Sequence, residues 1–230
     1  MPLTDHRLPP LSGRAPTAAV ILLHGLGDSG AGLIDLGVAW REALPNAVFV
    51  APDAPQPCDM APFGYQWFSL QDRTPAAMLR GVQQAAPILN EYIDNVAAHY
   101  QLTDQRVALV GFSQGTMMSL YVGPRRAKAL GGILGYSGAL IGAETLLAES
   151  QSKPPVQLVH GMQDDVVPFA AMRHAEVSLK AAGIAVQSLP CPQLAHSIDQ
   201  AGLQRGAQFL RKIFTETGTS GLTDGSFTKA

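Results

Sequence analysis

Val107-Ala108-Leu109-Val110-Gly111-Phe112-Ser113-Gln114-Gly115 is the stretch that decides how the rest of the chain is interpreted. Its four leading apolar residues predict a buried strand, and the G-x-S-x-G pattern after them is typical of a nucleophile elbow, a sharp turn between a strand and a helix. Side chains at Gly111 and Gly115 would clash where that strand and helix approach each other. We therefore expect the Ser113 hydroxyl oxygen to be a reaction centre.

A serine hydroxyl is a poor nucleophile near neutral pH, so it needs a base and a group that orients the base. In elbow-type sequences the partners follow in the order serine, acid, histidine. The only aspartates between Ser113 and the last histidine, His196, are Asp164 and Asp165, directly after a predicted strand. The order alone predicts His196 as the base and leaves both aspartates open as the acid.

An acyl-transfer site also needs backbone N–H groups that bind the developing oxyanion. One donor is expected to be the residue after the nucleophile, Gln114. The other is expected in the loop after an early strand, here His24-Gly25-Leu26-Gly27-Asp28. Leu26 is our candidate, since the glycines beside it let the backbone face the substrate.

Strand-like and helix-like segments alternate along the chain, which predicts a mostly parallel sheet with helices on both faces. Pro87 should kink or divide the long helix at 75–100. The predicted strands are 18–23, 48–51, 106–110, 133–136, 156–160 and 185–189, and the predicted helices are 33–44, 75–100, 114–122, 169–182 and 199–214.

The alternating pattern spans 16–214, which we interpret as one folded domain. Residues 1–15 are interpreted as an N-terminal extension, and 215–230, rich in Gly, Ser and Thr, as a flexible C-terminal tail. The connection from Tyr136 to Val156 is too short for a large cap domain. We therefore expect an open site without a bulky lid.

Composition excludes several classes of protein. The 230 residues carry a formal charge of −2, with 47% hydrophobic and 15% charged residues, so neither disorder nor nucleic-acid binding is expected. No stretch is long and apolar enough for stable membrane insertion, and 1–11 lacks the apolar core of a secretory signal. Two isolated cysteines suit a reducing compartment, so we expect a cytoplasmic protein. No H-E-x-x-H motif or closely spaced Cys/His set predicts a metal, and a serine nucleophile needs no cofactor. The sequence leaves open whether the chain forms a homodimer.

The chain resembles the carboxylesterase/phospholipase family of α/β-hydrolases, which includes the acyl-protein thioesterases. The resemblance covers about 16–214 and is carried by 23–28, 111–115, 160–168 and His196. It implies an α/β-hydrolase fold with about seven strands, a cofactor-free Ser-His-Asp mechanism, and ester or thioester substrates. It also favours Asp164 over Asp165.

Two details of the resemblance concern the pocket. Trp67 and Phe68 resemble an aromatic pair beside the acyl site, which implies substrate binding, although they could equally anchor their loop to the core. Thr116 stands where family members often carry glycine, and Ala195 where glycine is frequent before the histidine; either could reshape the pocket.

The resulting hypothesis is a serine hydrolase acting on short- to medium-chain carboxylic esters, with acyl-protein thioesterase or lysophospholipase activity as the alternative on the same chemistry. A non-catalytic binding protein on this fold is an alternative of another class. A remote alternative is an NAD-binding oxidoreductase, because 25–30 is a literal G-x-G-x-x-G motif and Asp53 follows the next strand.

Overall fold

The computed structural model describes residues 3–216, which form one large mixed sheet, one small hairpin and the helices around them. The strands are β1 (Asp5–Leu8), β2 (Ala18–Leu23), β3 (Ala47–Pro52), β4 (Gln56–Pro57), β5 (Tyr65–Gln66), β6 (Val107–Phe112), β7 (Gly132–Tyr136), β8 (Val156–Gly161) and β9 (Val186–Cys191). The helices are α1 (Gly30–Leu33), α2 (Asp35–Trp40), α3 (Pro75–His99), α4 (Gln114–Arg125), α5 (Ala143–Glu149), α6 (Ala170–Ala181) and α7 (Gln200–Glu216).

Within the described residues, the large sheet has seven strands in the order β1-β3-β2-β6-β7-β8-β9. All neighbours are parallel except β1, which pairs antiparallel with β3. The strand order reverses between β2 and β6, so the loops that leave these two strands diverge. In open parallel sheets such a switch point forms the crevice that binds ligands. The elbow after β6 and the glycine-rich loop after β2 meet there.

The seventh strand comes from a segment that the sequence pattern places outside the domain. Residues 5–8, in the predicted N-terminal extension 1–15, pair with β3 from Asp5↔Pro52 to Leu8↔Phe49. The Asp5 carboxylate also accepts a hydrogen bond of 2.8 Å from the Tyr92 hydroxyl on α3. Four residues with two charges give no periodic signal, so only the pairing reveals this edge strand. The predicted tail falls almost wholly beyond residue 216 and so lies outside the described residues.

The long helix α3 continues through Pro87, so the proline does not divide it, which was one of its two expected effects; the other, a kink, stays a prediction. Proline removes one hydrogen bond to the carbonyl of residue 83. Both Pro87 and Gln83 are exposed, so water can satisfy that carbonyl. Meanwhile the apolar face of the helix packs against the sheet through buried Val82, Leu89 and Ile93. Tertiary packing therefore outweighs the local penalty.

Helices cover both faces of the sheet, as the alternating pattern predicts. One core contains the inward side of α3 and α4, and a second lies on the opposite face under α2 and α7. Between β7 and β8 there is only the short helix α5, so no cap domain is present among the described residues. This is an α/β-hydrolase-like fold. None of the described helices is both long and apolar enough to cross a lipid bilayer.

Candidate active site

Ser113 occupies the sharp turn predicted between β6 and α4. Its backbone has φ 53° and ψ −114°, a conformation that L-residues rarely adopt and that costs roughly 1–3 kcal/mol unless the surroundings enforce it. The flanking residues must be glycines, as predicted, because a side chain at either position would overlap neighbouring backbone atoms. A methyl group on Gly115 would overlap the Leu23 carbonyl, and one on Gly111 would overlap the backbone of 115–116.

Thr116 connects the elbow to the next strand, β7, through its side-chain hydroxyl. Its buried hydroxyl lies 2.7 Å from the Gly111 carbonyl oxygen and 2.8 Å from the Tyr136 carbonyl oxygen. The Ser113 N–H donates to the same Tyr136 oxygen at 2.9 Å. Thr116 does not line the site cavity, so its effect on the pocket is exerted through the turn that carries Ser113.

The acid and the base meet at the carboxyl edge of the sheet. His196 Nδ1 lies 2.8 Å from Asp164 Oδ2, and the Asp164 side chain is fully buried. Asp164 Oδ1 accepts the N–H groups of Val166 and Val167 at 3.0 and 2.9 Å. Asp165, the alternative acid, is exposed. The structure therefore brings Asp164, and not Asp165, to His196.

Two loops hold this pair together. The Gln163 N–H donates to the Leu194 carbonyl, and Met162 N–H donates to the Cys191 carbonyl. Gly161 allows the close approach, because a side chain there would overlap the carbonyls of Leu194 and Ala195. The loop after β9 is thereby fixed against the loop after β8. This contact carries His196 to Asp164 across 32 residues of sequence.

Asp164 remains anionic in spite of its burial. Burial alone would raise the pKa of its carboxyl group. The hydrogen bond from His196 and those from the Val167 and Val166 N–H groups outweigh that effect and hold the pKa below its usual value. An anion at this position fixes the imidazole through Nδ1 and stabilises its cationic form.

Ser113 and His196 line one cavity of about 380 Å³. No hydrogen bond joins the Ser113 hydroxyl to the His196 ring in the part of the chain that the structure describes. The imidazole packs beside the Phe112 ring, with 4.9 Å between ring centroids. Catalytic hydrogen bonds are often long or poorly aligned before substrate binds, so the arrangement is compatible with transfer of the serine proton to this histidine.

The two predicted oxyanion donors lie at the switch point of the sheet. Leu26 lines the cavity, and Gln114 directly follows Ser113 at the start of α4. Among residues 3–216, neither of the two N–H groups donates to a backbone carbonyl. The neighbouring Gly27 N–H is bonded to the Tyr65 carbonyl at 2.9 Å, which fixes the loop. The Leu26 and Gln114 amides are thus free of the backbone contacts that would compete with an oxyanion.

The comparisons with known proteins agree with this geometry. The family model described as Phospholipase/Carboxylesterase matches residues 11–214. This chain belongs to that family. It is 30% identical over 212 residues to acyl-protein thioesterase 1 of Gibberella zeae, covering 85% of this chain and 90% of that protein. It is 28% identical over 208 residues to esterase YpfH of Escherichia coli, covering 90% and 88%. The crystal structure of esterase PE8 is similar with a TM-score of 0.89 and 41% identity, covering 93% of this chain and all of that one.

Trp67 and Phe68 are buried, at 1% and 3% exposure, and neither lines the cavity that holds Ser113. Both pack in the core, and the Trp67 indole N–H donates to the His24 carbonyl at 3.2 Å. The pair therefore anchors its loop to the core, which was the alternative interpretation. Substrate binding by these two residues, which the family resemblance implied, stays a prediction.

The same pair has a structural link to the site that sequence reasoning missed. The Trp67 N–H donates to Gln114 Oε1 at 2.8 Å, and Gln114 Nε2 donates to the Phe68 carbonyl at 2.7 Å. These two hydrogen bonds hold the residue that supplies an expected oxyanion donor. A glutamine in the elbow gives no local signal of such a partner 47 residues away.

The alternative of an NAD-binding oxidoreductase is wrong, although residues 25–30 match the G-x-G-x-x-G motif literally. Asp53 Oδ1 accepts the Gly30 N–H at 2.8 Å, so a carboxylate occupies the helix terminus where a phosphate would bind. The helix α1 itself has only four residues. His24, just before the motif, is also structural: it is fully buried, and its Nε2 accepts the Ala54 N–H at 3.0 Å. Burial lowers the pKa of the His24 imidazole, which favours this neutral acceptor.

Proposed function

We propose that this protein is a serine hydrolase that cleaves carboxylic esters through an acyl-enzyme. The observation that carries the proposal is the hydrogen bond of 2.8 Å between Asp164 and His196, formed beside a cavity that both His196 and the elbow serine line. The relatives named as esterase and as acyl-protein thioesterase support this class of reaction.

In the proposed mechanism, Ser113 Oγ attacks the ester carbonyl carbon while His196 Nε2 removes the hydroxyl proton. Asp164 stabilises the imidazolium through Nδ1, and the N–H groups of Leu26 and Gln114 bind the oxyanion. His196 then protonates the departing alcohol or thiol. Water, deprotonated by His196, attacks the acyl-enzyme and restores the Ser113 hydroxyl.

The cavity supports short- to medium-chain acyl groups as substrates. Apart from the catalytic groups, its lining is mainly apolar: Leu70, Met78, Phe112, Met117, Ala139, Val166, Val167, Pro168 and Ala171. Such a lining binds an acyl chain by the hydrophobic effect. Asp28 and Arg73 also line it and offer the polar contacts. The substrate is proposed to be a small-molecule ester or thioester.

Labelling with a fluorophosphonate tests this proposal, because the reagent phosphonylates an activated serine. Mass spectrometry should place the label on Ser113. Ser113→Ala should abolish labelling and lower turnover by roughly 10⁶, as in another serine hydrolase in which the triad was removed residue by residue. Ser119→Ala is the matched control, since Ser119 is a buried helical serine whose hydroxyl donates to the Gly115 carbonyl, and this variant should still be labelled. If the wild-type protein is neither labelled nor active on any ester, the proposal is wrong and the alternative, a non-catalytic binding protein on this fold, is favoured.

Thioester hydrolysis is the second candidate, favoured by the similarity to acyl-protein thioesterase 1. Matched oxygen and thiol esters of several acyl lengths separate the two, by comparison of kcat/KM at each length. A lysophospholipase would instead show its highest kcat/KM on single-chain phospholipids. We also propose a cytoplasmic location, supported by Cys58 and Cys191, which are both free thiols.

A further inference from the structure

His160 is a buried titratable group that the mechanism above does not use. It lies on β8, one residue before the strand ends, and is only 2% exposed. Its Nε2 atom is 2.8 Å from the Val167 carbonyl oxygen and 3.2 Å from Asp164 Oδ2, the same oxygen that faces His196. The edge of its ring packs against Phe169, with 6.1 Å between centroids. Asp164 thus lies between two imidazoles.

The contacts determine where the His160 proton is. A carbonyl oxygen and a carboxylate oxygen are both acceptors, so Nε2 must carry a hydrogen to satisfy either one. This holds for the neutral ring as well as the cation. The hydrogen points to Val167 O, with which it forms the hydrogen bond, and Asp164 Oδ2 lies 3.2 Å from the same nitrogen as an electrostatic contact. Because the Val167 N–H donates to Asp164 Oδ1 at 2.9 Å, His160 holds the residue that binds one carboxylate oxygen and places a polar N–H group beside the other.

We propose that His160 is a positioning residue that holds the Asp164 carboxylate in the orientation that the catalytic base requires. The inference rests on the proposed function, in which Asp164 orients His196. Without the Nε2–H group, the Val167 carbonyl would lose its anchor and Oδ2 would lose the polar group beside it, so the carboxylate could tilt about its two donors on Oδ1. Oδ2 would then leave the line to His196 Nδ1. The loss would affect the imidazolium formed during acyl transfer more than substrate binding.

A matched pair of substitutions tests this. Glutamine can place its side-chain N–H near the position of the imidazole Nε2, whereas asparagine offers the same amide one methylene short. His160→Asn should lower kcat roughly 3- to 10-fold, as expected for the loss of one hydrogen bond that supports the acid, with KM changed by less than about twofold. His160→Gln should keep kcat within about twofold of the wild type.

Two further readouts separate positioning from general stability. The acid limb of kcat/KM against pH reports the pKa of the free base, and it should move to lower pH in His160→Asn, because His196 loses part of its anionic partner. In an Asp164→Asn background, His160→Asn should change kcat by no more than about twofold, since the group it acts through is already removed. A merely structural role would lower Tm without moving the acid limb.

The outcomes distinguish the inference from the function on which it rests. If Ser113→Ala and Asp164→Asn keep wild-type activity, the proposed function is wrong. If they lose activity while His160→Asn keeps kcat and its acid limb, or adds its full loss to Asp164→Asn, only the role of His160 is overturned. Should His160→Asn not fold, histidine ¹⁵N spectra of the wild-type protein decide: they should show His160 protonated at Nε2, and a bare Nε2 would overturn the inference.

Discussion

Replacing Thr116 with valine removes one hydroxyl group from the support of the elbow while keeping the shape of the side chain. The hydroxyl is buried and faces two carbonyl oxygens, of Gly111 and Tyr136, at 2.7 and 2.8 Å. Tyr136 O keeps its hydrogen bond from Ser113 N–H in the variant. The Gly111 oxygen likewise keeps the Tyr136 N–H, its donor in the pairing of Phe112 with Tyr136, so the variant loses one hydrogen bond but leaves neither carbonyl without a donor.

The expected loss of stability follows from this contact. The loss of one buried hydrogen bond costs about 0.5–1.5 kcal/mol, and for a domain of this size each kcal/mol lowers Tm by about 2–4 °C. We therefore expect Thr116→Val to lower Tm by roughly 1–6 °C. The Thr116 hydroxyl helps to hold the strained backbone of Ser113, so its removal should also destabilise the conformation in which Ser113 reacts. Loss of about 1 kcal/mol there corresponds to a roughly fivefold lower kcat at unchanged KM.

Thr116→Ser is the matched control, because it keeps the hydroxyl and deletes only the methyl group that packs beside Gly135 and Gly138. It should lose about 1 kcal/mol of stability but react with a fluorophosphonate at close to the wild-type rate. Thermal unfolding and the second-order labelling rate of all three proteins provide the comparison. An equal labelling rate in the valine variant and the wild type, or an equal loss of labelling rate in the serine and valine variants, would refute the role of the hydroxyl.

Three other expected outcomes follow from the site. Asp164→Asn should lower kcat by about 10⁴, by analogy with a dissected triad. The folded pKa of Asp164 lies below its unfolded value of about 3.9, so the stability of the wild type relative to this variant should be constant above about pH 5 and should decline as the pH falls from about 4. A stability difference that stays constant between about pH 5 and 2 would contradict the lowered pKa. Trp67→Phe should cost about 1 kcal/mol through the lost bond to the His24 carbonyl, with KM within about twofold; a large KM effect would return Trp67 to the substrate site. Ala171→Phe should fill part of the cavity, so that kcat/KM for longer acyl esters falls by about fourfold per excluded methylene while acetate esters are spared; a uniform loss across chain lengths would argue against this acyl position.

The elements that could be predicted are those with strong local patterns. The apolar runs at 18–23 and 107–110 form fully buried strands, and the elbow glycines occupy the positions at which a side chain would clash. The order of serine, aspartate and histidine could also be read directly. The three residues follow β6, β8 and β9, which are parallel strands that all end at one edge of the sheet.

Predictions failed or stayed open where a short or ambiguous pattern is decided by its partners. Residues 5–8 form an edge strand only because β3 offers an unpaired side. The aromatic pair at 67–68 could serve a pocket or the core with the same residues, and packing places it in the core. The G-x-G-x-x-G motif binds the Asp53 carboxylate from its own chain, a contact that the spacing alone cannot distinguish from a ribose-binding acid.

The linear order of residues determined the chemistry that we propose for this protein: which side chain is the expected nucleophile, which groups could serve it, and which alternation of strands and helices carries them. Those properties depend on residue type and on periodicity over a few positions. The tertiary structure decided which acid faces His196, how Thr116 and Gln114 hold the elbow, and that His160 touches the same carboxylate. Such contacts join atoms from separate loops, and their distances exist only once the strands have aligned at a common edge.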